Sequence, residues 1–150
     1  MRYMMFVLLI FGIAGATVAA DSPSYAFSKT VDMSYEEAIT AVTEELKKAG
    51  FGIVTEIDAA ATMKSKLDVD MRPYIILGAC NPQFAHDAIQ AETQVGLFLP
   101  CNVIVYVDDA GKTVVSAVDP AAMMKAVDNA ELHETAKQVG TTLKAVIERL

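Results

Sequence analysis

The sequence predicts an α+β fold, an antiparallel sheet with helices packed on one of its faces. Three observations predict it. Five short stretches carry strand patterning, two of them joined by a tight hairpin turn. Two longer stretches, near the start and at the end of the mature chain, repeat apolar residues at helical spacing. The later strands are not regularly separated by helices, which argues against a doubly wound parallel sheet.

The first strand covers Ser24 to Asp32, where Tyr25, Phe27, Lys29 and Val31 fall on one face. Ser34 with Glu37 three residues on forms a capping-box signature. A helix then runs from about Tyr35 to Ala49, with Ile39, Val42 and Leu46 on its apolar face. Lys47 and Lys48 oppose its dipole and Gly50 ends it. Phe51 to Asp58 alternates again as the second strand. Ala59 to Leu67 reads as a short helix, and Asp68 to Arg72 as a polar connection. Pro73 sets the start of a third strand, Tyr74 to Ala79.

Asn81 is a favoured N-cap and Pro82 suits the first helical position, so a helix extends to about Ala91. Glu92 to Leu99 is a mixed link closed by Pro100. Asn102 to Val107 is a β-branched strand, Asp108 to Lys112 a hairpin turn, and Thr113 to Val118 the returning strand. Asp119-Pro120 opens a short helix, Ala121 to Val127. Asp128 and Glu131 are the expected caps of the last helix. Its residues Leu132, Ala136, Val139, Leu143, Val146 and Leu150 form one amphipathic stripe.

Residues 1–20 read as a signal peptide. Arg2 is its charged start, Met4 to Ala14 its apolar run, and Val18 and Ala20 the small residues before cleavage. The apolar run is shorter than the ~20 residues of a spanning helix. The expectation is a periplasmic or secreted mature chain, a single domain over 21–150, with no stable membrane span after cleavage. Of the 150 residues, 12 are Lys or Arg and 19 are Asp or Glu. Losing Arg2 leaves 11 against 19, a net charge near −8. That balance excludes nucleic acid, whose phosphates need a basic face, and opposes docking on anionic lipid. No Ser-His-Asp order, phosphate loop or dinucleotide fingerprint is present, so the reading leans away from an enzyme.

The two cysteines are the sharpest chemical feature. Cys80-Asn81-Pro82 and Cys101-Asn102-Val103 each place a cysteine and an asparagine where an apolar run meets a turn. If strands three and four are antiparallel neighbours, both sulfurs lie at one end of the sheet; if parallel, they lie at opposite ends. Three readings follow. A structural disulfide suits an oxidising compartment and would stabilise by roughly 3 kcal/mol. A thiol-redox, metal or haem site would use Cys80 and Cys101, with His86 as a weak third ligand, although the spacing fits no standard zinc pattern. Two buried, inert thiols are the third reading. Asn81, Asn102 and Arg72 are supporting polar candidates. Met71, Met123 and Met124 would complete a soft, copper-type ligand set, weighed against core filling. His133 reads as an exposed residue near the start of the last helix.

Gly50-Phe51-Gly52-Ile53-Val54-Thr55-Glu56-Ile57, Arg72-Pro73-Tyr74, Leu77-Gly78-Ala79-Cys80-Asn81-Pro82, Leu99-Pro100-Cys101-Asn102-Val103 and Val105-Tyr106, in this order, resemble the domain-of-unknown-function 302 family from about Tyr25 to Leu150. Asp68 departs from a usual helix-ending glycine and Ile75 from a usual lysine. The resemblance implies a strand, a helix, a four-stranded meander and a helix, similar to the TATA-binding-protein-like architecture, often as a homodimer. A meander would make strands three and four antiparallel neighbours. It implies no activity, and no DNA binding carries over with the fold. The functional expectation is an exported binding or sensing module using the Cys80/Cys101 end of the sheet. The alternatives are a redox or metal/haem protein on the same pair and a structural or dimerisation module with a disulfide. The cofactor and ligand are left open.

Overall fold

Alternation in the five strand stretches becomes a single five-stranded sheet in the computed structural model, which describes residues 23–150. The signal peptide expected over 1–20 lies outside the described residues. The strands are β1 (Ala26–Val31), β2 (Gly52–Asp58), β3 (Tyr74–Cys80), β4 (Cys101–Val107) and β5 (Thr113–Val118). Their order is β1-β5-β4-β3-β2, and each neighbouring pair is antiparallel. β2 to β5 therefore form the expected meander, and β1 returns to pair with β5. A register shift between Ile53 and Thr55 marks a bulge in the edge strand β2.

The helices are α1 (Tyr35–Lys48), α2 (Ala59–Leu67), α3 (Pro82–Ala91), α4 (Pro120–Met123) and α5 (Ala130–Glu148). Two 3-10 segments, Thr93–Phe98 and Met124–Ala126, complete the elements. The α1 capping box forms as expected: Ser34 Oγ accepts from the Glu37 backbone, and Glu37 Oε2 accepts from Ser34 N at 2.9 Å. Those bonds hold the Glu37 carboxyl below its usual range. Asp68, in place of a helix-ending glycine, takes the left-handed conformation at φ 54°. α5 starts one step away from expectation. Asn129, not Asp128, is its N-cap, accepting from Glu131 N and Leu132 N.

The main core forms where α1 and α5 cover one sheet face. Val42 and Leu46 from α1, Leu143 and Val146 from α5, and Leu77, Val103, Val105 and Val115 from the sheet are all sealed from solvent. β5 is buried along almost its whole length, as befits an inner strand. Polar contacts fix the C-terminal end of α5. Lys29 Nζ donates to the Glu148 carbonyl at 2.9 Å, where a cation meets the negative end of the helix dipole. Arg149 Nε donates to Glu45 at 2.7 Å and ties α5 to α1.

A second, smaller apolar cluster lies beyond the sheet. Ala88 of α3, Val95 of the first 3-10 segment, Met124 of the second, and Leu132 and Ala136 of α5 form it. The link from Glu92 to Leu99 is thus a folded 3-10 element, not an irregular connection. Large exposed apolar side chains concentrate along β2, α2 and the connection after it: Val54, Ile57, Met63, Leu67, Val69 and Met71. Among the described residues, no helix is long and apolar enough to cross a membrane.

A candidate ligand cavity at the cysteine end of the sheet

Antiparallel pairing brings the end of β3 beside the start of β4, so Cys80 and Cys101 do arrive at the same end of the sheet. They are not bridged; both are free thiols. The expected disulfide is corrected by the register. Cys101 stands opposite Ala79, so Cys80 lies one residue out of step. That single step leaves Cys80 without a partner in β4, so the two cysteines share one end of the sheet and one cavity without being paired across the ladder.

Cys101 shares its face with Ala79, Leu77 and Val103, toward the helices. Burial pushes its thiol from 9.0 up to about 11, and nearby Cys80 adds in the same direction. A thiol in this state is protonated at neutral pH and is a poor nucleophile. The pH consequence has a definite sign. Below pH 9 the thiol is protonated in both folded and unfolded chains. Between about 9 and 11 only the unfolded chain releases the proton, so stability falls as pH rises. Denaturant melts at pH 8 and pH 11 should therefore show wild type losing roughly 2–3 kcal/mol more than Cys101→Ala across that window. Equal losses would mean that the thiol is not held protonated by the fold.

An apolar cavity of about 60 Å³ opens where this end of the sheet meets the helices beyond it. Ala79, Cys80 and Cys101 form its sheet wall, with Phe51 and Val118 beside them. α3 contributes Phe84, Ala85 and Ala88; the first 3-10 segment and the residue after it contribute Val95, Phe98 and Leu99. Pro120, Met123 and Met124 close one side, and Leu132, Thr135, Ala136 and Val139 of α5 close another. Among the described residues, no charged side chain lines it. The void exists because the two apolar clusters, one under the sheet and one beyond its end, meet without fully interdigitating.

The sequence-predicted candidates separate on this geometry. Asn81 lines the cavity and also caps α3, its Oδ1 accepting from Gln83 N at 3.1 Å and Phe84 N at 3.3 Å. Asn102 is exposed and stands opposite Gly78, on the sheet face away from the main core. His86 is not brought to the cysteines. Six residues along, the helical turn carries it to the exposed side of α3, where Nδ1 meets Asp87 at 3.2 Å. Arg72 is placed at the far end of β3, where it pairs with Asp109 and donates to the Val107 carbonyl at 3.2 Å. Met71 lies at that far end as well, beside Arg72 and the stacked rings of Tyr74 and Tyr106. Met123 and Met124 do reach the cavity. No cluster of three or more His, Cys, Asp or Glu occurs among the described residues.

His133 is exposed as expected, yet its ring also holds the local structure together. Nε2 bonds the carbonyls of Val127 at 2.7 Å and Met124 at 3.0 Å. Carbonyls only accept, so Nε2 carries the proton and pins the second 3-10 segment onto α5. Thr135 is a cavity residue that the sequence did not single out, although its position beside Leu132 and Ala136 on the apolar stripe is a usable signal.

Comparison with known proteins agrees with this architecture. No curated protein matches the chain. The crystal structure of an uncharacterized conserved DUF302 protein from Bacillus stearothermophilus superposes with a TM-score of 0.79 at 28% sequence identity. The match covers 85% of this chain and 98% of that one. Residues 27–150 match the family described as "Domain of unknown function DUF302", and the chain belongs to that family.

Proposed function

We propose that this protein is an exported binding module whose cavity, between the Cys80/Cys101 end of the sheet and α3 to α5, takes a small uncharged ligand. The observation that carries this reading is the cavity itself: an apolar space with both cysteines and Asn81 on its wall. An engineered cavity of about 150 Å³ holds benzene. On that scale 60 Å³ suits about two to four non-hydrogen atoms, or the narrow end of something larger. Charge is disfavoured, because an ion would find no counter-charge on this wall. The thiol-redox alternative is weaker on the same residues, since the two thiols are unbridged and burial holds the Cys101 thiol protonated.

A titration with 1-chloropropane, followed by backbone and methyl chemical shifts, tests this reading. Four heavy atoms in an apolar site give millimolar affinity at efficiencies below the ceiling of about 1.5 kcal/mol per atom. Saturable shifts confined to the lining residues are expected. Ala88→Leu, which pushes a larger side chain into the void from α3, should abolish them while the rest of the spectrum stays folded. No saturable shift in the wild-type protein would sink the reading.

A further inference from the structure

The register sorts the strand residues onto two faces. One face carries Leu77, Val103, Val105 and Val115 under α1 and α5. The charged residues of the five strands are Lys29, Glu56 and Asp58. Lys29 pairs with Val115, Glu56 with Leu77 and Asp58 with Ile75, so all of them fall on that helix-covered face. The strands put no charged residue on the other face, in a chain where 21% of residues are charged.

Two rows of side chains cross this uncharged face. Ile57, Ile76, Ile104, Ser116 and Ser28 stand in register across all five strands. Tyr74, Tyr106, Val114 and Thr30 form the next row. Side-chain contacts bear out the shared face: the Tyr74 and Tyr106 rings stack at 5.7 Å, and the Ser28 and Ser116 hydroxyls bond at 2.7 Å. Val114 and Ser116 are buried among their neighbours, the isoleucines of β3 and β4 and both tyrosines are half-buried, and Ile57 is 49% exposed. α2 adjoins β2 and β3 but buries none of its own residues, so it does not seal this face. A solvated sheet face ordinarily alternates to polar and charged side chains, and this one does not.

We propose that this uncharged face packs against the same face of a second copy of the chain, with the two-fold axis along the isoleucine row. Charge favours that occupant. With 19 acidic against 12 basic residues, two copies repel. The face that brings no carboxylates together is where they meet at least electrostatic cost. Symmetry favours it as well. A two-fold along the row sets Ile57, Ile76 and Ile104 against their own counterparts and Ser28 and Ser116 against theirs, so apolar meets apolar and hydroxyl meets hydroxyl. Area sets the strength. Five strands about 4.8 Å apart and about 20 Å long span about 500 Å². Two such faces give about 1,000 Å², the lower bound for a specific interface, which places the affinity in the micromolar range.

Sedimentation velocity on the mature protein should show monomer and dimer in concentration-dependent exchange, with a micromolar dissociation constant. Raising salt from about 0.1 to 1 M should leave the dimer as strong or stronger, because salt screens the repulsion and breaks no ion pair on this face. Ile104→Lys should weaken the dimer by about a hundredfold or more, since two ammonium groups would meet across the axis. Ile57 is exposed enough on its edge strand that folding is not at stake. Ile57→Lys and Ile57→Glu should each weaken the dimer by about tenfold, and mixing the two should restore it by pairing opposite charges. A monomer at every concentration up to about 1 mM would overturn the inference. So would a dimer that both lysine variants leave intact, which would put the contact on another surface. A mixture no stronger than either Ile57 variant alone would overturn it too, since residue 57 would then not meet its counterpart.

Discussion

Leu143→Ala should lower the stability of the domain by about 3 kcal/mol, within the ~2–5 kcal/mol range of fully buried leucine truncations. Leu143 is sealed from solvent in the middle of the α5 stripe, inside the cluster that holds Leu77, Val103, Val105 and Val115. Removing its side chain loses the transfer free energy of the deleted carbons. It also leaves a void bounded by a helix on one side and inner strands on the other. Neither can collapse inward easily, because β4 and β5 are pinned by ladders on both edges. Urea denaturation should show a lower midpoint at an unchanged slope, since the same surface unfolds. Leu97→Ala is the control. Leu97 is 81% exposed in the first 3-10 segment, so its truncation should change stability by no more than about 0.5 kcal/mol. Similar losses from the two variants would mean that α5 does not form the cover of the sheet.

Much of this core was legible because it follows from short-range periodicity. The stripe Leu132, Ala136, Val139, Leu143, Val146 and Leu150 repeats at helical spacing; the first five are buried in α5, and Leu150, just past its end, is half-buried. Ser34 with Glu37, Asn81 with Pro82, and Asp119 with Pro120 are local capping chemistry, and each caps where the sequence places it. The cysteine geometry was not legible, because it depends on register across strands about twenty residues apart in the chain. Antiparallel neighbours were enough to bring Cys80 and Cys101 to one end. A one-residue offset, invisible in either strand alone, then left them out of register and unbridged. Arg72 falls outside the site for the converse reason. It precedes a seven-residue strand whose other end is Cys80, and an extended strand of that length separates its ends by roughly 20 Å. The cavity is further still from sequence. It is what two adjoining clusters fail to fill, and one of them draws on Val95, Phe98 and Leu99 from a segment with no periodic pattern.

Gly78→Ala should cost on the order of 2–3 kcal/mol, an unusually large effect for adding one methyl group. Gly78 lies in the middle of β3, opposite Thr55 on one side and Asn102 on the other. A Cβ built there would collide with Thr55 Oγ1 and would sit 2.6 Å from Pro100 Cγ. The requirement is one of space, not of backbone conformation, since Gly78 is not among the positive-φ residues. The two obstructions differ in how they can yield. Thr55 can turn its hydroxyl away by changing rotamer, at a cost of about a kcal/mol. Pro100 cannot, because its ring is rigid and its neighbour Cys101 is fixed in the β4 ladder. Relief must then come from a shift of β3 against its neighbours, in a strand that also carries the buried Leu77 and Ala79. A double-mutant cycle separates the two contributions. Thr55→Ala should recover part of the loss in the Gly78→Ala background, giving a coupling of about 1 kcal/mol, and Pro100 accounts for the remainder. Full recovery by Thr55→Ala would show that Pro100 gives way. No recovery would show that the prolyl ring alone forbids a side chain at residue 78, and that the tight seating of Pro100 over β3 is what fixes the start of β4, and with it Cys101 at the cavity wall.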